Sequence, residues 1–176
     1  PDVASEAGYA RAYEEHATTV YRYVASRVGG EAAEDVTAEV FAVAWRGRHN
    51  YSPQAGTVRA WFLGVATNVI GRHREKERRW LRHSKDAVRL ILDPSPEDDL
   101  SAIDRRLDAE SRRTLVYAAL ARLPARDREA FLMHVVVGAS YDEIAHALKI
   151  PVGTVRSRIN RARNRLQSRL AEGNRL

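Results

Sequence analysis

The chain has 176 residues, 44% of them hydrophobic, which is enough for one ordinary domain or two small ones. It has no cysteine, which excludes disulfides, thiolate nucleophiles and cysteine-based zinc or iron–sulfur sites, and it fits a reducing compartment such as the cytoplasm. No apolar run approaches the roughly 18 residues of a membrane span, and Pro1–Ala10 lacks the basic start and apolar middle of a signal peptide, so a soluble chain is expected, with whatever precedes Pro1 unseen.

Helical periodicity predicts an all-α fold of two small helical domains joined by a linker, with no strand pair, hairpin signal or internal repeat. In the first lobe the pattern places helices at Tyr9–Val28, Ala32–Trp45 and Thr57–Lys76. The second of these begins "AEDVTAEVFAVAW", where Glu34, Asp35 and Glu39 read equally well as complements to the helix dipole or as a partner-binding face. Phe41 and Trp45 read as core. Between the second and third helices, "RHNYSPQAGTVRAW" has the composition of an ordinary turn. Along the third, Trp61, Phe62, Val65 and Val69 keep core spacing, while Asn68 and Arg72, four apart, share another face.

Charge then changes abruptly. Arg72–Arg89 holds 8 basic and 3 acidic residues, whereas Asp93–Glu110 holds 7 acidic and 2 basic. Two prolines in "LDPSPEDDL" break helical geometry inside the acidic stretch, which is where a linker is expected. The divisions are therefore 1–82, 83–110 and 111–176. The last third carries 13 basic and 5 acidic residues, so the chain's net charge of +6 belongs there.

In the second lobe, helices are predicted at Thr114–Leu123, Asp127–Val137, Tyr141–Leu148 and Gly153–Leu170. "YDEIAHAL" turns Ile144, Ala145 and Leu148 inward, "KIPV" makes a short break, and Gly153 is expected to allow close approach as the next helix begins. This is a helix-turn-helix layout, whose second helix enters the major groove. In that helix Val155, Ile159, Ala162, Leu166 and Leu170 form one apolar stripe. Ser157, Asn160, Arg161 and Asn164 lie opposite, with Arg156, Arg158, Arg163 and Arg165 on the shoulders. A solvated helix face normally interleaves glutamate and lysine, yet Thr154–Leu170 contains no acidic residue. Guanidinium forks beside short amides and a hydroxyl suit phosphates and base edges. The bland alternative, two core helices with a solvated arginine face, leaves the missing acids unexplained.

Enzyme chemistry finds no footing. The six histidines, His16, His49, His73, His83, His134 and His146, have no paired spacing, so no metal is expected. No glycine-rich phosphate loop or sequence-level triad is present, and no cofactor is expected.

The stretch "LARLPARDREAFLMHVVVGASYDEIAHALKIPVGTVRSRINRARNRL" resembles the fourth conserved region of a bacterial extracytoplasmic-function (group 4) sigma factor of RNA polymerase. "AEDVTAEVFAVAW" followed by "GTVRAWFLGVATNVIGRHRE" is similar to the second conserved region of the same group, in the right order. The resemblance covers roughly Tyr9–Arg79 and Leu115–Leu170. Phe62 and Thr67 depart from the group's more usual residues, and with nothing after Leu176 no appended regulatory module is expected.

The resemblance implies a non-catalytic subunit whose partners are RNA polymerase core, promoter DNA both duplex and melted, and an anti-sigma protein. It implies docking on the core through Glu34, Asp35 and Glu39. It also implies recognition of the upstream element of the bubble by the loop and following helix: Asn50, Tyr51, Gln54, Arg59, Trp61, Asn68, Arg72 and Arg74. The distal element falls to Arg156, Ser157, Arg158, Asn160, Arg161, Arg163 and Asn164. The acidic segment carrying Asp98, Asp99, Asp104 and Asp108 reads either as a solvated tether or as a transcript mimic in the polymerase channels. Two other classes compete: an autonomous helix-turn-helix regulator of duplex DNA, and an RNA-binding or structural chromosome protein that uses the arginine helix as an electrostatic handle.

Overall fold

The computed structural model describes residues 2–83, 116 and 119–173, and the acidic linker lies outside them. The described chain is all-α. Helix α1 spans Glu6–Val28, α2 Gly30–Arg46 and α3 Val58–His83, with a short 3-10 turn at Arg48–Asn50. In the second lobe α4 spans Ala125–Val137, α5 Tyr141–Leu148 and α6 Val152–Gly173, preceded by helical residues 119–121.

Local chemistry explains the boundaries. Ser5 caps α1 by accepting a hydrogen bond from the Gly8 amide at 3.1 Å. Gly29 alone separates α1 from α2, at a φ of 85° that a side chain would disfavour. Helix α5 is only 8 residues long and begins with a full capping box: Ser140 accepts from the Glu143 amide at 3.1 Å, and the Glu143 carboxylate accepts from the Ser140 amide at 2.9 Å. The helix-turn-helix break is a left-handed residue, Lys149 at φ 53°, with the Ile150 amide returning to the Ala145 carbonyl at 3.0 Å. Loss of the Ser140 hydroxyl in Ser140→Ala is expected to cost about 1 kcal/mol, read as a lower urea midpoint at an unchanged slope.

The first lobe packs α1, α2 and α3 around an aromatic cluster. The rings of Tyr9, Phe41 and Phe62 meet edge to face, Phe41 and Phe62 at 5.2 Å, and the buried Tyr9 hydroxyl donates to the Phe41 carbonyl at 2.6 Å. Burial pushes the Tyr9 phenol up to about 12, with neighbouring Tyr13 adding to the effect. Phe41 is core as expected; Trp45 is half-buried, with the Arg48 guanidinium 3.7 Å above its ring. In the second lobe Ile144 and Ala145 of α5 are buried, as are Val155, Ile159, Ala162 and Leu166 of α6, which reproduces the apolar stripe along its described length.

The lobes are not independent bodies. One hydrophobic cluster runs from Val24, Leu63 and Ile70 in the first to Met133, Val137 and Ile144 in the second. At the junction α3 lies against α5 so closely that a Cβ on Gly64 would sit 2.8 Å from the Ala147 carbonyl oxygen. Polar contacts ring this core: Arg27 pairs with Glu129 at 3.3 Å, the Arg22 guanidinium donates to the Val136 carbonyl at 2.9 Å, and Arg59 donates to the Val137 carbonyl and pairs with Glu143 at 3.5 Å. Gly153, expected to permit close approach, has no neighbouring atom within 4 Å of its Cβ position and is exposed. The close approach belongs instead to Gly64, because α3 rather than α6 is the helix pressed against α5.

Candidate nucleic-acid interface

Three surfaces carry the residues singled out in the sequence. On α6, Arg156, Asn160, Arg161, Arg163, Asn164 and Arg165 are exposed, while Ser157 and Arg158 are half-buried. The Ser157 hydroxyl donates back to the Thr154 carbonyl at 2.9 Å, leaving its oxygen lone pairs as acceptors. Arg156, Arg158 and Arg163 have no carboxylate partner among the described residues. Arg161 and Arg165 do. Both reach across to Asp127 of α4, and the hydrogen bonds to that carboxylate raise the Arg161 guanidinium above its ordinary value.

The second surface is the loop before α3 and one stripe of that helix. Tyr51 and Trp61 lie with ring centroids 5.5 Å apart, and the Tyr51 hydroxyl donates to the Gly56 carbonyl at 3.1 Å. Partial desolvation raises the Tyr51 phenol. Asn50 and Gln54 are exposed on the loop. Seven residues is close to two helical turns, so Trp61, Asn68 and Arg72 fall along one stripe, and the latter two are exposed. Two residues do not join them. Arg74 turns back to donate to the Arg27 carbonyl at 2.9 Å, and Arg59 is spent on Val137 and Glu143 of the second lobe. The second lobe therefore borders this surface, and Tyr51, Gln54, Arg59, Glu143 and His146 line a shared cleft.

His16 lies at the back of the cleft, facing Glu15 at 3.8 Å with Arg59 and Glu143 nearby. Burial lowers its pKa, Glu15 opposes that, Arg59 lowers it further and Glu143 raises it. A lowered folded pKa means that the unfolded chain binds the proton more readily. Stability from neutral His16 is present above about 6.5, the ordinary histidine value, and is lost as pH falls below it. His16→Gln is therefore expected to flatten the acid limb of a stability–pH curve beginning near pH 6.5, measured by chemical denaturation.

The third surface is the outer face of α2, where Glu34, Asp35 and Glu39 are all exposed and none forms an ion pair among the described residues. Among the described residues no group of three histidine or acidic side chains could hold a metal, and no helix is long and apolar enough to cross a membrane. Sequence reasoning missed Asp127, Glu143 and His146. The capping box was legible in "SYDE", but nothing local announces that Asp127 meets residues 34 and 38 positions further on.

A two-lobed helical fold whose recognition helix is arginine-rich and free of acids from Thr154 to Leu170 defines a DNA-binding protein of the helix-turn-helix class. Residues 12–80 match the sigma-70 region 2 family and residues 113–166 match sigma-70 region 4. The chain is 36% identical over 173 residues to the ECF RNA polymerase sigma factor SigL of Mycobacterium tuberculosis, covering 96% of this chain and 93% of SigL. It is 37% identical over 164 residues to SigE of Mycolicibacterium smegmatis, also an ECF RNA polymerase sigma factor; that match takes in 90% of this chain and 60% of SigE. The chain belongs to the extracytoplasmic-function sigma factors of RNA polymerase. Its fold is similar to that of CnrH, solved with the cytosolic domain of CnrY, at a TM-score of 0.66 and 21% identity over 97% of this chain and 92% of CnrH. It is likewise similar to the sigma factor RpoE of Bartonella quintana, solved with the anti-sigma factor NepR, at 0.63 and 22% over 93% and 97%.

Proposed function

We propose that this protein, a group 4 member of its family, brings RNA polymerase core to a defined set of promoters in the cytoplasm and has no catalytic activity of its own. The observation that carries this reading is the exposed face of α6, which presents Arg156, Asn160 and Asn164 without a single acidic residue between Thr154 and Leu170. In this reading that face takes the duplex distal element, with Ser157 assisting and Arg158 and Arg163 on phosphates. The loop carrying Asn50, Tyr51 and Gln54 takes an unstacked base of the upstream element, with Trp61, Asn68 and Arg72 continuing the track. Glu34, Asp35 and Glu39 dock on the core enzyme, and an anti-sigma protein restrains the free subunit. The lobes divide near 1–82 and 111–176. Arg59 can join the upstream track only after leaving Val137 and Glu143, so the promoter-bound arrangement is more open than the packed one.

Mixing the purified chain with core polymerase tests the reading. Comigration and run-off transcription from a matched promoter are expected. A shift of duplex operator by the chain alone, with no transcription on adding core, would establish an autonomous regulator instead.

A further inference from the structure

Asp127 sits in the first turn of α4 with its side chain only 6% exposed, and two arginines of the recognition helix converge on it. Arg161 grips it with two donors, Nη2 to Oδ1 at 2.9 Å and Nε to Oδ2 at 3.2 Å, while Arg165 Nη1 reaches Oδ2 at 3.1 Å. Both arginine side chains remain about half exposed, at 50% and 48%. They lie at the edge of the surface offered to DNA. A fork already closed on a carboxylate has fewer free donors for phosphate, and the carboxylate's charge cancels part of the field of the pair.

Resting on the reading of α6 as the duplex-reading helix, we propose that Asp127 is a specificity-determining positioning residue: it withholds Arg161 and Arg165 from indiscriminate phosphate contact and fixes their side chains beside the reading face. Phosphate contacts raise affinity for every sequence alike, whereas base contacts separate one sequence from another. An arginine-rich run with no acid from Thr154 to Leu170 is exposed to just this loss of discrimination, since specificity is a difference between two affinities. The acid comes from a neighbouring helix instead. One carboxylate shared by two guanidiniums leaves a single net positive charge, enough to favour DNA without letting both cations act freely.

The test is Asp127→Asn in the full chain assembled with core polymerase, titrated against a matched promoter and the same promoter with a scrambled distal element, across a salt series. The amide keeps the shape and removes the charge. Binding to the scrambled duplex is expected to tighten several-fold, the salt slope to steepen by about one, and the matched-to-scrambled ratio to fall by about three- to tenfold. Adding Arg165→Gln restores the net charge of the cluster and is expected to return the slope to that of the unaltered protein. A slope and ratio unchanged in Asp127→Asn, or equal weakening on both duplexes together with a lower melting temperature, would overturn the proposal and leave Asp127 a stabilising ion pair. If the unaltered holoenzyme fails to separate the two duplexes, the reading of α6 itself has failed, which is a different result.

Discussion

Replacing Gly64 with leucine is expected to drive the two lobes apart. The obstacle is the Cβ itself, which would meet the Ala147 carbonyl oxygen at 2.8 Å and the Ala147 Cα at 3.4 Å, so no rotamer of the new side chain relieves it. Both neighbours are backbone and α5 is pinned by its capping box, so the junction between α3 and α5 has to give. Within α3 the change is favourable, since leucine is a better helix former than glycine by roughly 0.5–1 kcal/mol. The first lobe therefore keeps its fold while losing its partner face. Small-angle scattering should show a radius of gyration several Å above that of the unaltered protein, for which about 16 Å is expected of a compact body of this length, with circular dichroism unchanged. Gly71, on the same helix with no atom within 4 Å of its Cβ position, supplies the control: Gly71→Leu should leave the radius alone. A Gly64→Leu protein as compact as the original would mean that α5 shifts along α3 rather than leaving it. Because Arg59 is released with the junction, the same substitution should preserve or raise run-off transcription.

Arg156→Ala is expected to weaken binding at the distal element by about 1–3 kcal/mol, roughly 5- to 150-fold, and to relax preference at one base pair of that element. Arg156 is exposed, lies one residue from the buried Val155, and has no ion pair among the described residues. Arg163, also exposed but two turns further along the same side of α6 and so farther from the helix N-terminus that contacts base edges, should behave differently: Arg163→Ala should weaken all duplexes alike and flatten the salt slope by about one. Binding of the holoenzyme to every single-base variant of the distal element separates the two. Uniform loss from Arg156→Ala, with no position relaxed, would reassign it to the backbone.

Much of this was legible in the chain. The helices of both lobes follow from spacing, and Val155, Ile159, Ala162 and Leu166 are buried because their period matches the helix whatever it packs on. The helix-turn-helix was readable because the inward face of "YDEIAHAL" and the break at "KIPV" are local. Boundaries were less so: α1 starts at Glu6 rather than Tyr9 because Ser5 caps it, and α3 continues to His83 through a charged stretch that carries no apolar period. Asp127 was read only as the start of a helix, and Arg161 and Arg165 only by their places on α6, opposite the apolar stripe and on its shoulder.

By itself, then, the sequence determined the all-α class, the order of two lobes, the apolar stripe of the recognition helix and the concentration of positive charge beside it, since each depends on residues within a few positions of one another. Tertiary structure alone decided which charges are free. Arg59 is taken up by Val137 and Glu143, 78 and 84 positions away, and Arg161 by Asp127, 34 positions away. It also decided that Gly64 rather than Gly153 is the point of close approach. The physical reason is common to all three: a periodic pattern marks which face of a helix must be covered, but pairings across the core depend on which helices meet and at what distance, and no local spacing encodes that.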